Sequence, residues 1–465
     1  MDQLRLRRLR ALARKYARPG PRYTSYPTAA EFGPLAASEY EARLARASVA
    51  CDEAWSAYVH VPFCAKRCAF CACSVIATPD RARVEQPYVD HLVRELELVG
   101  ERLGERRWLA QLHLGGGTPT YLAPAQLERV LTAVLRVFRR ESDGEWSIEL
   151  DARATSDAHL DLLGVWGFRR ISLGVQDLDP DVQRHIGREQ SLARIVEVIR
   201  RARSVGIASV NLDLVYGLPG QTRASISHTI AAVLELLPDR LALYGYAHLP
   251  SSPGRGNQRR IDEALLPSPS ERLDMFLAAR EQLLDAGYVA IGMDHFALPE
   301  DSLARAARAG TLRRNFMGYT VAAGTDLLGF GVTAIGELAG AIVQNEVKLA
   351  RWSATIEQGR LATARGLIRS PDDELRAAVI AELMCRHAID KRAIERRFGL
   401  ASFDRSFAEE LAELREPIAD GLVLDEPDRL SLTADGEMFV RNVAMSFDAH
   451  LRAKRGAPQR FSATV

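Results

Sequence analysis

Cysteine is scarce in this 465-residue chain, six in all, and so is any excess of charge, with 61 Lys and Arg against 60 Asp and Glu. So few thiols in so long a chain exclude a small disulfide-stapled scaffold. A net charge of +1 gives no bulk sign of a nucleic-acid surface or of an acidic partner. Long hydrophobic runs are also missing. None would span a bilayer and no secretory signal is evident, so no membrane association is expected, and reduced thiols point to the cytoplasm. No heptad seam is exposed, and a monomer is expected. What is present is 47% hydrophobic residues, enough for one large domain and a smaller one.

Four of the six cysteines, Cys64, Cys68, Cys71 and Cys73, fall in the single run HVPFCAKRCAFCACS. Thiols this dense make a metal site or a redox centre. A structural zinc site usually closes its tetrahedron with two ligands from a second, distant knuckle, and no second Cys/His knuckle follows. Three thiolates spaced C-x3-C-x2-C suit three irons of a cubane cluster, leaving the fourth iron open to a non-protein ligand, which implies chemistry. A structural zinc loop and coincidental buried thiols are the alternatives. Phe63 and Phe70 read equally as shielding for such a site or as ordinary core. Cys385, within DDELRAAVIAELMCR, is a core thiol, and Cys51 has no partner motif and no role.

Strand-like runs SAYVHV, QLHL, WSIEL, RRISLGV, ASVNLDLV and LALYGYAHL alternate with amphipathic stretches over residues 86–103, 122–139, 156–166, 191–205 and 222–236. This alternation predicts an α/β fold with a parallel sheet and right-handed crossovers. An incomplete parallel (β/α)6 barrel fits better than a doubly wound sheet, because polar candidates fall at the strands' C-terminal ends. Gly115, Gly116 and Gly117 follow QLHL and would let a backbone approach a ligand, with N–H groups free for a carboxylate. Glu149, Gln176, Asp177 and Asp213 end later strands, as helix caps or as one cofactor rim. Gly329-Phe330-Gly331 is a dinucleotide-binding look-alike without the βαβ context.

The chain divides into residues 1–54, a basic helix and arm; 55–365, the barrel and its extension; and 366–465, a small, mostly helical, winged-helix-like domain. In the first, Arg5, Arg7, Arg8, Arg10, Arg14, Lys15, Arg18 and Arg22 face only Asp2, with leucines at helical spacing up to Pro19-Gly20-Pro21. A solvated basic helix is read here over a membrane-surface helix or a transit peptide. In the last, helical segments are followed by a hairpin over LVLDEPDRLSLTADG and a final helix GEMFVRNVAMSFDAHLR. The acidic content argues against DNA binding, and a lid or substrate-side wall is the expected use.

The C-x3-C-x2-C spacing resembles the radical S-adenosylmethionine (SAM) superfamily. An ordered series of segments resembles one family within it, the oxygen-independent coproporphyrinogen III oxidases: GPRYTSYPTA, YVHVPFCAKRCAFCAC, LHLGGGTPTYL, SIELD, ISLGVQD, NLDLVYGLPGQT, YAHLP, GMDHFA, RNFMGYT, DLLGFGVTAIG and MSFDAHLR. The resemblance implies that Cys64, Cys68 and Cys71 ligate a 4Fe–4S cluster, while Cys73 is needed without being a ligand. It implies two SAM molecules, the first touching Tyr58, Gly116, Glu149 and Ile335, the second Phe70, Gly117, Thr118, Gln176, Arg188, Asp213 and Ala247. It implies that a 5′-deoxyadenosyl radical takes a hydrogen atom from two propionates of coproporphyrinogen III, giving the vinyl groups of protoporphyrinogen IX, with flavodoxin or ferredoxin as electron donor. Tyr58, Cys73, Glu149 and Arg188 are the catalytic candidates. Arg22, Arg313 and Arg314 are candidate partners for substrate carboxylates, and His60 and His295 are further candidates.

The chain departs from this pattern at Met317, where the family commonly has Gln, at Gly336 for Ser and at Ile342 for Tyr. SSPGRGNQRR lacks the family's aromatic after the proline and carries two extra residues. These changes are expected on the substrate side, with the cysteine loop unaffected. Two alternatives follow: a heme-binding chaperone of the same superfamily, against which Cys73 and the RYTSYPTA arm argue, and a radical enzyme acting on another tetrapyrrole.

Overall fold

The computed structural model describes residues 3–50, 53–321, 326–454 and 461–464, so that Cys51 lies outside the described residues. Six strands, β1 (Trp55–Val61), β2 (Trp108–Gly116), β3 (Arg139–Leu150), β4 (Arg170–Gln176), β5 (Ser209–Tyr216) and β6 (Arg240–Gly245), pair in chain order and all parallel. Helices Arg81–Gly100, Pro124–Val137, Asp157–Val165, Leu192–Ser204 and Arg223–Leu234 make the crossovers, within a few residues of the expected stretches. Local chemistry starts them. Ser156 and Thr222 open capping boxes, Asp80 and Ser191 accept a first-turn N–H, and Pro124 opens its helix with no N–H to leave unpaired. The strands are apolar nearly throughout because helices or barrel interior cover both faces.

The sheet extends beyond these six, to thirteen strands. Asp326–Phe330 runs parallel to β1 and carries antiparallel strands Ile335–Leu338, Ala341–Asn345, Thr363–Ile368 and Gly33–Pro34. At the other edge β6 pairs antiparallel with His295–Ala297 and then Val289–Ile291. The dinucleotide look-alike Gly329-Phe330-Gly331 thus belongs mostly to a seventh parallel strand. Strands of three residues carry too little alternation to be read in sequence.

The N-terminal helix Gln3–Tyr16 corrects the expectation of a solvated segment. Leu9, Leu12 and Tyr16 are buried in one core with Leu383, Phe403, Phe407, Phe439 and Phe447. Its cations meet acids across that seam: Arg5 and Arg8 on Asp435, Arg10 on Asp274, and Lys15 on Glu416 and Asp420. The C-terminal hairpin is present, Val423–Asp425 against Arg429–Leu432, with a third strand Ala388–Asp390. The expected final helix is broken into a tight turn, Gly436–Phe439, and helices Val440–Ser446 and Ala449–Ala453, because Asp448 caps a new start. The region 403–419 is likewise three short helices, not one.

The two chain ends meet. The Gly20 N–H donates to Ser462 O (3.0 Å) and the Thr464 N–H to Arg18 O (2.9 Å). The buried Arg441 guanidinium donates to the carbonyls of Gly20, Pro21 and Ala463.

Candidate active site

A cavity of about 540 Å3 opens at the C-terminal ends of β1–β6, walled on one side by the cysteine loop and bordered by Gly20, Arg22, Phe461 and Ser462 from the joined chain ends. Cys64, Cys68, Cys71 and Cys73 all line it, as do Phe70, Gly116, Gly117, Thr118, Glu149, Gln176, Arg188, Asp213 and Ala247. Strand ends supply Gly116, Glu149 and Gln176, β5 supplies Asp213 three residues before its end, and loops supply most of the rest, as a barrel whose chemistry sits on one rim requires. Gln176 sits at a register shift in β4 with φ of 68°, a strained setting that turns its residue off the strand's regular alternation.

The glycine run serves protein contacts. A Cβ on Gly117 would meet the carbonyls of Pro62 and Phe63 at 2.8 and 2.6 Å, and one on Gly115 would meet the Glu149 carboxyl at 2.9 Å. Its N–H groups, expected free for a ligand carboxylate, are taken: Gly116 donates to Glu149 Oε2 (2.9 Å), Gly117 to Val61 O (2.8 Å) and Thr118 to Phe63 O (2.8 Å). Only glycine lets the cysteine loop and β3 close on the same backbone.

Charges are held in defined states. Burial would push the Glu149 carboxyl up, but the hydrogen bond and charge of His113 and the Gly116 N–H outweigh it and hold it below the ordinary carboxylate value. Asp151 shows the same balance, burial being overcome by Arg153 and Arg188. Arg188 donates to Asp151 Oδ2 (2.9 Å) and Gly174 O (2.7 Å) and lies 3.9 Å from the Cys68 sulfur. The Cys64 thiol, pushed up to about 11 by burial, meets Thr118 Oγ1 at 3.2 Å, whereas the Cys73 thiol draws Cys71 down to about 6.

Asp213 is raised to about 6, mainly by burial, while Ser172 and Asn211 donate to its two oxygens at 2.8 and 2.9 Å. The fold therefore binds a proton there more tightly than the unfolded chain does, and stability falls as pH rises from about 4 to about 6. Asp213→Asn removes the dependence. Its melting temperature relative to wild type is expected to be higher at pH 7.5 than at pH 4.5, by the equivalent of about 1–2 kcal/mol. A pH-independent difference contradicts this.

Other candidates stand elsewhere. Tyr58 and Ile335 do not line the cavity: the Tyr58 hydroxyl is bonded to His60 Nδ1 (2.9 Å), and the Ile335 backbone packs against Gly329, which is paired with Tyr58. His60 is a buried neutral ring between Tyr58 and Ser74 O, and His295 is bonded to Asp294 (2.6 Å). Asp177 leaves the rim, because it is fully buried and accepts from Gln221, Thr229 and the Asp179 N–H. Arg22 borders the cavity on Asp294, whereas Arg314 binds the carbonyls of Arg22 and Tyr23 and Arg313 is exposed. Met317 lines a smaller inner cavity of about 70 Å3 beside Glu149 and Asp213. Gly336 and Ile342, expected on the substrate side, are buried within the strand pair 335–345 and border neither cavity.

The segment SSPGRGNQRR grips the cysteine loop itself. Asn257 Nδ2 lies 2.9–3.0 Å from the carbonyls of Cys68, Ala69 and Cys71. The buried Gln258 amide donates to Phe70 O (3.1 Å) and Ala247 O (3.0 Å). Sequence reasoning missed these two residues because their partners on the cysteine loop are about 190 positions away. Asp151 and Arg153 were also missed, although Asp151 follows Glu149 by two, the spacing that returns a residue to the same face of a strand.

Comparison with known proteins follows this geometry. The radical SAM superfamily model matches residues 58–233, and the HemN C-terminal domain model matches residues 370–439. Among curated proteins the chain is similar to the oxygen-independent coproporphyrinogen III oxidases of Pseudomonas aeruginosa, 42% identical over 457 residues, and Salmonella typhimurium, 43% identical over 458, with 98% of each chain covered in both cases. Among solved structures it is similar to coproporphyrinogen III oxidase (HemN) from Escherichia coli, described as a radical SAM enzyme. The TM-score is 0.88 at 41% identity, covering 92% of this chain and 98% of that one.

Proposed function

This chain belongs to the oxygen-independent coproporphyrinogen III oxidase family of radical SAM enzymes, and we propose that it converts two propionate side chains of coproporphyrinogen III to vinyl groups, releasing carbon dioxide without using oxygen. A 4Fe–4S cluster and SAM are its cofactors. The donor set suits them: three free thiols, those of Cys64, Cys68 and Cys71, share one loop and one cavity wall.

Cys64, Cys68 and Cys71 hold the cluster, and Cys73 tunes the loop through Cys71. When bound, cluster and SAM supply a carbon radical able to take a hydrogen atom from an unactivated C–H bond, which no side-chain base can ionise at neutral pH. The chain's residues bind, orient and shield. Glu149, an anion beside the Gly116 backbone, receives the cationic amino group of one SAM molecule, with Tyr58 and Ile335 supporting that site from behind. Arg188 and Asp213 bind a second SAM, with Phe70, Gly117, Thr118, Gln176 and Ala247 around it. Phe70 keeps water from the reacting centre, and Arg22 at the rim meets a propionate. Flavodoxin or ferredoxin supplies the electron to a monomer in the cytoplasm.

The observation that carries this reading is that three thiols free of disulfides line one cavity together with Glu149 and Arg188. Anaerobic reconstitution with iron and sulfide, then turnover with coproporphyrinogen III, SAM and dithionite, tests it. About two 5′-deoxyadenosines and about two carbon dioxides per protoporphyrinogen IX are expected. Deoxyadenosine without carbon dioxide rejects the oxidase.

A further inference from the structure

Whatever the bulk charge, the cysteine loop and the segment against it carry cations without acids of their own, the exposed Asp80, Asp262 and Glu263 lying just beyond them and Glu263 being bonded to His248 (2.9 Å). Residues 58–79 and 247–261 contain no Asp or Glu, yet they carry Lys66, Arg67, Arg255, Arg259 and Arg260. The two segments lie against each other: Arg260 Nη2 donates to Arg67 O (2.7 Å), and Arg67 Nη2 donates to Gly254 O (2.7 Å) and Cys73 O (3.1 Å). None of the five makes an ion pair among the described residues. By contrast Arg106, Arg240 and Arg376 elsewhere all sit on carboxylates. Lys66, Arg259 and Arg260 are exposed, as are Ala72 and Cys73, and Lys66, Arg67 and Arg255 reach the cavity lining beside them. Unpaired like charges held together repel each other. An incoming anionic surface removes that repulsion.

We propose that this cationic collar is the docking surface for an acidic one-electron carrier protein. The proposal rests on the oxidase reading, which requires an electron from outside. The carrier would lose one electron and a cluster held by Cys64, Cys68 and Cys71 would gain it, the collar's Lys66, Arg67 and Arg255 lining the same cavity as those thiols. Association of this kind is steered by charge over a small interface, so it weakens with salt. Arg259 serves the test, because it does not line the cavity and Arg259→Glu lowers the charge of the collar by two units without touching the loop. Arg259→Glu/Arg260→Glu, at two exposed positions outside the cavity lining, doubles the change.

Two readouts separate the possibilities, using an acidic flavodoxin as probe and basic cytochrome c as control. Binding of oxidised flavodoxin to the reconstituted full chain, followed by fluorescence anisotropy, is expected to weaken about tenfold in Arg259→Glu and further in the double variant, and to weaken in wild type from about 20 to about 300 mM salt. Cytochrome c is expected not to bind. SAM cleavage driven by reduced flavodoxin falls in step, while cleavage driven by dithionite stays within about twofold of wild type. Equal loss with both reductants, or salt-insensitive flavodoxin binding unchanged by the variants, overturns the collar. A wild-type protein that binds flavodoxin but makes no deoxyadenosine with dithionite overturns the oxidase reading instead.

Discussion

Cys64→Ser, Cys68→Ser and Cys71→Ser are each expected to give a colourless protein with little bound iron and sulfide and with turnover reduced at least about a thousandfold, whereas Cys73→Ser keeps the brown chromophore and loses turnover. The contrast follows from position and chemistry. Serine presents a hard oxygen that stays protonated at neutral pH, a poor match for iron that prefers thiolate. Three thiols are the minimum that leaves one iron open, so removing any one leaves the cluster on two. Cys73 is exposed, and its thiol acts on Cys71 rather than adding a needed ligand. Iron and sulfide content, visible absorbance and deoxyadenosine yield measured side by side decide the matter. A Cys64→Ser protein with full iron content, or a colourless Cys73→Ser protein, would refute the assignment of ligands.

Glu149→Gln is the second large effect, and it isolates charge from shape. The carboxylate accepts from the Gly116 N–H at 2.9 Å and sits 3.5 Å from His113 Nε2. An amide of the same size removes the anion that an ammonium group needs and, with its oxygen kept on the Gly116 N–H, turns its NH2 toward His113. A hydrogen bond to a charged group contributes about 1.5–3 kcal/mol, so kcat/KM for SAM should fall about 100-fold. Iron content should be unchanged, since among the described residues the Glu149 carboxylate meets Gly116 and His113 and makes no hydrogen bond to the cysteine loop. A wild-type KM for SAM in Glu149→Gln would show that the carboxylate serves only to brace the glycine run.

Much of the fold was legible because its signals are local. Six apolar runs alternating with amphipathic stretches describe a parallel sheet with helical crossovers, and caps such as Ser156 and Thr222 sit where the helices begin. The edges were not legible. Asp326–Phe330 joins β1 across about 270 residues, and the three-residue strands near 290 and 296 have no period to detect. The N-terminal helix looked solvated because the acids that neutralise it, Asp274, Asp420 and Asp435, are hundreds of residues away.

The site divides in the same way. By itself the amino-acid sequence determined the chemistry on offer, since cysteine spacing, a glycine run and the acids ending β3 and β5 are properties of short stretches. The tertiary structure alone decided which groups face one another: that Asp177 turns into the packing while Asp213 reaches the cavity, that the glycine N–H groups are already spent within the protein, and that Asn257 and Gln258 pin the cysteine loop from across the barrel rim. The reason is physical. Which side of a strand a residue occupies follows from its neighbours in the chain, but what lies opposite is set only when distant segments close on one another and bury their polar groups in pairs.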